Sequence, residues 1–414
     1  MSKMPTTTRD TRLDVFRALA LVTIYVNHVP GTLYESLTHK NAGFSDAAEA
    51  FVLISGIAAG FAYGTKFEPG RRLLMALRAW HRAGVLYVAH MMTTLATLGI
   101  FAAGALWFVQ PSLMEAINIK GLVDAPVEAL LGLVTLGHQL GYNNILSMYA
   151  VVLLMLPGFL LLMRFGMGPL LAVSFALWLG AGLWRVGPPN FPQEGLWFLN
   201  PLSWQFLFVI GLAGAVHVRR GGSIPFVPWL AAAALAYVVI AFAWVRIPLW
   251  GVDVSMDLPT VLTGFDKTFL SAPRLLHVLA AAYLIVAIAP LNALARTEPG
   301  NPLAILGRHA LPVFIAGTLL SMAAQVMKQV YVPSLALDTA LIAGGIALQF
   351  ALAFWLEWLG RLEKQAAARP AVIGLKETVA QLHAARPALQ PKAASPASAA
   401  AFDRAAAISS RTSL

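Results

Sequence analysis

The first apolar run of the chain carries residues that could do acid–base chemistry. LDVFRALALVTIYVNHV, at positions 13–29, contains Asp14, Arg17 and His28. An α-helix turns about 100° and rises about 1.5 Å per residue, so Arg17 and His28 share a face about 16 Å apart along the axis. Asp14 lies on that face too, because residues three apart are helical neighbours. The run therefore predicts an ion pair at one end and a general base at the other. The structural alternative is an interfacial ion pair and a histidine that caps the helix.

A second polar cluster follows in GFSDAAEAFVLISG, residues 43–56. Either Ser45 or Asp46 is predicted to cap a helix there, since short polar side chains accept its free N–H groups. Glu49 lies one turn deeper on the face of Asp46. A carboxylate beside His28 would fix its tautomer and favour its protonated form, so Asp46 and Glu49 are predicted to assist catalysis. The three side chains could instead bind a metal, but no tight ligand spacing such as HExxH is present, so no metal site is predicted.

The composition predicts that these residues sit in an all-α, polytopic membrane protein. Hydrophobic residues make up 58% of the chain and charged residues 12%, and the mean hydropathy is +0.71. Crossing the hydrocarbon layer takes about 20 apolar residues. The absence of cysteine excludes disulfides and a cysteine nucleophile. Ten spans are predicted, at 12–30, 45–64, 83–108, 144–163, 168–186, 201–218, 226–246, 273–293, 303–327 and 336–359.

The distribution of lysine and arginine predicts the orientation of these spans. With the N-terminus in the cytoplasm, most basic residues fall in cytoplasmic loops, as membrane proteins prefer. Both termini are then cytoplasmic, and the net charge of +10 needs no nucleic-acid partner. Residues 1–364 are predicted to form the membrane domain. Residues 365–414 are rich in Ala, Pro and Ser and are predicted to be a flexible cytoplasmic tail.

Several stretches together resemble a known family. In RLDVFRALALVTIYVNH, ten residues separate Arg17 from His28. The other stretches are GFSDAAEAFVLISG, NNILSMYAVVLLMLP, NPLSWQFLFVIG and LGRHALPVFIAGTLLS. The pattern resembles the OpgC-type branch of the membrane acyltransferase-3 superfamily, the succinyltransferases of osmoregulated periplasmic glucans. The resemblance implies a multi-pass protein of the bacterial inner membrane that transfers succinyl from acyl-CoA to a periplasmic glucan. It also implies functional roles for Arg17 and a catalytic role for His28.

A cytoplasmic donor would need a cationic site on the inner side. Arg78 and Arg82 lie one turn apart at the start of the third span, where they could bind the phosphates of acyl-CoA. The competing explanation is that these arginines only reflect the excess of basic residues in cytoplasmic loops. Arg17 would lie along the route of the pantetheine arm. Direct transfer is the simpler mechanism; an acyl-enzyme on Ser55 is the alternative, although a buried serine there more often serves helix packing.

The acceptor is predicted to bind among polar residues at the outer ends of the helices. Amides and aromatic faces suit a sugar, although a tryptophan at this depth also fits an ordinary interfacial belt. His277 and His309 are predicted to be structural. The predicted acceptor residues are Asn143, Asn144, Asn200, Trp204, Gln205, Asp266 and Lys267.

A competing class is a transporter or flippase for an anionic small molecule or a lipid-linked sugar. Such a protein would also need buried Arg, Asp and His side chains. The sequence lacks the internal repeat of broken helices that is typical of many transporters, which favours the enzyme. The expected partners are membrane lipid, acyl-CoA as co-substrate and the glucan, with no permanently bound cofactor. Whether the chain forms a homo-oligomer is left open.

Overall fold

The computed structural model describes the backbone of residues 10–384 and the side chains of residues 10–366. The chain divides into two units. The first, residues 1–357, contains the helical bundle, and the second, residues 358–414, is described as far as residue 384, where it is helical. Within the described residues the regular secondary structure is helical, with no β-strand beyond one isolated bridge between Pro189 and Leu196, so the predicted all-α class is confirmed.

Ten apolar helices lie at the positions of the ten predicted spans. The labels used below are α1 Arg12–Asn27, α2 Ala47–Ala59, α3 Arg72–Trp107, α4 Ile145–Leu162, α5 Met167–Leu183, α6 Pro201–Arg219, α7 Pro228–Arg246, α8 Ala272–Ala287, α9 Ala310–Val330 and α10 Leu335–Ala384. Shorter helices connect them at Lys120–Asp124, Pro126–Val134, Thr260–Thr263, Ala289–Leu294 and Pro302–Arg308.

Seven helices in the described part of the chain are long and apolar enough to cross a membrane: α2 with its π-helical extension to Gly64, α3, α4, α6, α7, α9 and α10. Two more, α5 and α8, are apolar but shorter, and α1 has 16 residues. The protein is therefore a multi-pass membrane protein in contact with lipid, whereas the count of ten spans stays a prediction.

The final helix continues beyond the predicted start of the tail. It runs to Ala384, so the first part of the segment predicted to be flexible is helical. Residues 385–414 of the predicted tail lie outside the described residues. The cytoplasmic location of the tail stays a prediction.

Glycines allow the helices around the site to pack closely. A Cβ added at Gly56 of α2 would lie 2.0 Å from the carbonyl oxygen of Phe208 on α6. A Cβ added at Gly307 would lie 1.7 Å from the carbonyl oxygen of Asp14 on α1. Small residues let membrane helices approach in this way. Two neighbours, α2 and α9, pack against α1, and α9 and α4 pack against α3. These five helices enclose the candidate site.

Candidate active site

A cavity of about 450 Å³ lies among α1, α2, α3, α4 and α9. Alanines, leucines and two phenylalanines form its apolar walls. None of the described residues that line it is acidic. Its polar lining residues are Arg17, Ser55, Tyr63, Arg82, Tyr149, Arg308 and His309. Three guanidinium groups therefore converge on one pocket, which we call the arginine cavity and which suits an anionic ligand.

Arg17 enters the arginine cavity from α1. Its Nη1 lies 3.2 Å from Oδ1 of Asp14, one turn earlier on the same helix, and donates to the carbonyl oxygen of Gly307 at 3.3 Å. The Asp14 side chain is only 4% exposed. The two residues thus form the ion pair that their spacing predicts, and the pair leaves Arg17 at the cavity wall.

The two arginines predicted to bind the donor differ in position. Arg82 lines the arginine cavity, whereas Arg78, one turn earlier on α3, is not among the described lining residues. Both arginines are exposed. Arg82 is therefore the better placed of the two to contact an anion inside the cavity.

Arg308 and His309 are lining residues that sequence reasoning did not assign to the site. They lie at the junction of the short helix Pro302–Arg308 and α9. Nη1 of Arg308 donates to Oε1 of Glu357 at 2.8 Å, and Nε2 of His309 lies 3.2 Å from Oε2 of the same carboxylate. Glu357 thus contacts both side chains at the wall of the cavity. The sequence feature that could have indicated them is the adjacent pair Arg308 and His309 between two apolar helices.

His28 lies at the opposite end of α1 from Arg17, as its C-terminal capping residue. Its ring stacks on Tyr142 with the centroids 4.3 Å apart, and its carbonyl oxygen accepts a hydrogen bond from Nε2 of Gln325 at 2.8 Å. Its Nδ1 is buried and has no hydrogen-bond partner among the described residues. It does not line the arginine cavity, so the two predicted parts of the site are separated along α1.

The two carboxylates predicted to assist His28 make other contacts. Oδ1 of Asp46 accepts from the backbone N–H of Ala48, and Oε2 of Glu49 accepts from the backbone N–H of Asp46, which forms a capping box at the start of α2. Capping therefore explains Glu49 as well as Asp46. Neither carboxylate hydrogen-bonds to His28 within the described residues.

Two basic residues from a distant part of the sequence pair with these carboxylates. Nζ of Lys267 lies 2.5 Å from Oδ2 of Asp46, and Nη2 of Arg274 lies 2.6 Å from Oε1 of Glu49. The Glu49 side chain is completely buried. The catalytic role of Asp46 and Glu49 stays a prediction. In the structure the two carboxylates join α2 to the segment that leads into α8.

Three of the predicted acceptor residues are fully buried. Oδ1 of Asn200 caps α6 through the N–H of Leu202, and Nε1 of Trp204 donates to the carbonyl oxygen of Lys267 at 3.0 Å. Gln205 exchanges hydrogen bonds with Ser174. These contacts are those of packing and capping residues, and the acceptor role of these three residues stays a prediction.

The other predicted acceptor residues are scattered. Asn143 is buried and donates to Oγ1 of Thr97 at 3.0 Å. Asn144 is partly exposed and occupies the N-cap position of α4 without a side-chain capping hydrogen bond in the described structure. Asp266 pairs with Arg185 at 3.3 Å. Asn143 and Asn144 directly follow Tyr142, the residue on which the His28 ring stacks.

His277 has the structural environment that was predicted for it. Oγ of Ser45 lies 2.7 Å from its Nδ1, and the backbone N–H of Ser45 donates to the same atom at 3.3 Å. Nδ1 is therefore an acceptor, which places the proton of the neutral ring on Nε2. Within the described chain, no group of three or more His, Asp or Glu side chains is arranged to hold a metal ion.

Comparison with known protein families identifies a match over most of the chain. A family model described as OpgC protein matches residues 9–361, which include α1, His28 and every helix that encloses the arginine cavity. No curated protein and no solved structure matches the chain.

Proposed function

Since the chain belongs to the OpgC protein family, we propose that it is an acyltransferase of the bacterial inner membrane that succinylates a periplasmic glucan. The donor in this proposal is a coenzyme A thioester in the cytoplasm, and the acceptor is a glucan hydroxyl on the opposite side. Family membership supports acyl transfer to glucan. The succinyl group, the coenzyme A donor and the inner membrane are the finer parts of the proposal.

The observation that carries the proposal is the arrangement of charge along α1. Arg17 lies in a cavity with two other arginines, Arg82 and Arg308. His28 lies eleven residues further along the same helix, at a rise of about 16 Å and on nearly the same face. A helix that joins an anion-binding cavity to an imidazole suits a reaction whose two substrates arrive from opposite sides of a membrane.

The reaction needs one proton acceptor and one binding site for a charged donor. The arginine cavity would hold the anionic part of the donor, with Arg82 nearest its cytoplasmic entrance. His28 would take the proton of the acceptor hydroxyl as its oxygen attacks the thioester carbonyl carbon. The carbon–sulfur bond then breaks, and the imidazolium returns the proton to the departing thiolate. Direct transfer of this kind leaves Ser55 as a lining residue of the cavity.

The proposal requires the N-terminus and the cytoplasmic donor to be on the same side of the membrane. A reporter fused after Gly64 should therefore report a cytoplasmic location, as should one fused after residue 360. A periplasmic signal from either fusion would put the arginine cavity on the wrong side for the donor.

Mass spectrometry of periplasmic glucans tests the function as a whole. Cells that express the protein should carry glucans with added succinyl groups, and otherwise identical cells without it should not. Identical glucan spectra from the two strains would contradict the proposed enzyme. A transporter would instead change the amount of a glucan or its precursor without adding an acyl group.

A further inference from the structure

Three helices run from the arginine cavity to the level of His28 over the same length. Each has one residue at the cavity and another eleven residues later, which is a rise of about 16 Å with a return to nearly the same face. The pairs are Arg17 and His28 on α1, Leu86 and Thr97 on α3, and Phe314 and Gln325 on α9. Gln325 bonds the carbonyl oxygen of His28, and Thr97 bonds Asn143, next to the tyrosine on which His28 stacks.

Buried polar side chains fill the interval between the two levels on α3. His90, Thr94 and Thr97 follow Leu86 at helical spacing, and Asn143, two residues before α4, donates a hydrogen bond to Thr97. We call these four residues the polar seam. They are 1%, 2%, 0% and 5% exposed. Both ring nitrogens of His90, Oγ1 of Thr94 and Oδ1 of Asn143 have no hydrogen-bond partner among the described residues.

Neighbouring hydroxyls show that burial alone does not leave such groups unpaired. Thr93, directly beside Thr94 and equally buried, donates to the carbonyl oxygen of Ala89 at 2.7 Å. On α9, Thr318 and Ser321 also donate to carbonyl oxygens of their own helix. The polar seam therefore differs from these neighbouring hydroxyls. Ser203 on α6 and Ser271 before α8 are also buried without a hydrogen-bond partner in the described structure, but each stands alone. The seam instead brings three such side chains, His90, Thr94 and Asn143, into one region beside the arginine cavity.

Unpaired polar groups in a membrane interior are costly, and they normally face a wet cavity or a ligand. The groups in the polar seam are neutral and include donors and acceptors. They match an uncharged chain that carries amides and a hydroxyl. Phosphates would instead be drawn to the guanidinium groups of the arginine cavity.

We propose that the polar seam binds the amide-bearing pantetheine arm of the acyl thioester, with His90 and Thr94 as its hydrogen-bonding residues. This rests on the proposed function, which supplies the donor. The nucleotide phosphates remain at the arginine cavity while the arm passes along α3 and presents the thioester at His28. Leu86 lies one turn before His90, Leu146 lies three residues after Asn143, and Phe314 faces the cavity from α9. These three side chains form the apolar collar that the arm displaces.

Equilibrium binding of two ligands to purified full-length protein separates the arm from the nucleotide. Acyl-CoA has both parts, whereas adenosine 3′,5′-bisphosphate has no arm. For acyl-CoA, His90→Leu should raise Kd about tenfold and Thr94→Val about threefold, as expected for the loss of buried hydrogen bonds. Neither variant should change the Kd of the bisphosphate. Thr93→Val is the matched control and should change neither.

The outcomes are distinct. If Thr94→Val and Thr93→Val bind acyl-CoA equally well, the polar seam does not hold the arm, and this comparison stands even where His90→Leu fails to fold. Equal weakening of both ligands in His90→Leu and Thr94→Val would also overturn the proposal, because it would indicate a structural role. If the wild-type protein binds the bisphosphate and acyl-CoA with the same affinity, the arm has no site. If it binds neither, the coenzyme A donor itself is wrong.

Discussion

The imidazole of His28 lies flat against the ring of Tyr142, with the centroids 4.3 Å apart and the planes 11° apart. This contact joins the end of α1 to the segment that begins α4. Neither ring nitrogen of His28 bonds to Asp46 or Glu49 in the described structure, so the stack and the hydrogen bond to its backbone carbonyl are what hold the histidine in place. Tyr142 is therefore a positioning residue for the proposed base.

Replacing Tyr142 should change turnover more than donor binding. Tyr142→Leu removes a stacked ring worth about 0.5–1.5 kcal/mol and should lower kcat by up to about tenfold. Tyr142→Phe keeps the ring and should stay within about twofold of wild type. Steady-state kinetics of glucan acylation, with KM for acyl-CoA unchanged in both variants, is the measurement. Equal rates for the two variants would show that the stack does not position the imidazole.

The two arginines at the start of α3 should differ in their effect on the donor. Arg82 lines the arginine cavity and Arg78 does not. Loss of a charge-assisted contact costs about 1.5–3 kcal/mol, so Arg82→Ala should raise KM for acyl-CoA about tenfold or more. Arg78→Ala serves as the control and should have a much smaller effect. If the two variants give the same KM, both arginines act through membrane topology alone.

The ion pair between Arg274 and Glu49 should be needed for stability. Arg274→Ala would leave the fully buried Glu49 carboxylate without its cation, which typically costs about 3–5 kcal/mol. Arg185→Ala is the control, because Arg185 is 58% exposed in its pair with Asp266 and such pairs contribute about 0–1 kcal/mol. Thermal unfolding in detergent should show a large drop in Tm only for Arg274→Ala. A similar Tm for both variants would contradict this difference.

The loop between α1 and α2 should lose stability in acid. Burial of Glu35 opposes its ionisation, but hydrogen bonds from Lys40 and from the N–H of Gly31 outweigh burial and lower its pKa below the ordinary value. A lowered pKa in the folded state means that the ionised group stabilises the protein above the pKa of the unfolded chain. That contribution is lost as the pH falls through the folded pKa. The Tm difference between wild type and Glu35→Gln should therefore shrink on acidification; a constant difference would contradict the lowered pKa.

The sequence was sufficient to predict the helices because long apolar runs must be helical in a bilayer. The same logic found Asp14, Arg17 and His28, which are close in sequence and share one helical face. Local geometry was misjudged in one place. Glu49 was taken to need a functional explanation, although the third residue after the capping residue Asp46 is where a capping box places an acid.

Contacts between distant segments could not be predicted from the sequence. Glu49 and Arg274 are 225 positions apart, and no local pattern links them. Trp204 was predicted to bind an acceptor because aromatic faces suit a sugar, with an ordinary interfacial belt as the alternative. Packing against neighbouring helices buries it completely, which the sequence did not indicate. The polar seam was missed because His90 and Thr94 lie in a long apolar run. Which face of that run is buried depends on how α3 packs against its neighbours, and the sequence does not show this.

Acyl transfer by His28→Ala protein tests the proposed mechanism most directly. Purified protein in lipid vesicles would be given labelled acyl-CoA and glucan, with acyl-CoA binding measured in parallel as a check of folding. Loss of a general base should lower the transfer rate by about 10²–10⁴, while donor binding at the arginine cavity stays close to wild type. Near-wild-type transfer by a folded His28→Ala protein would contradict the account.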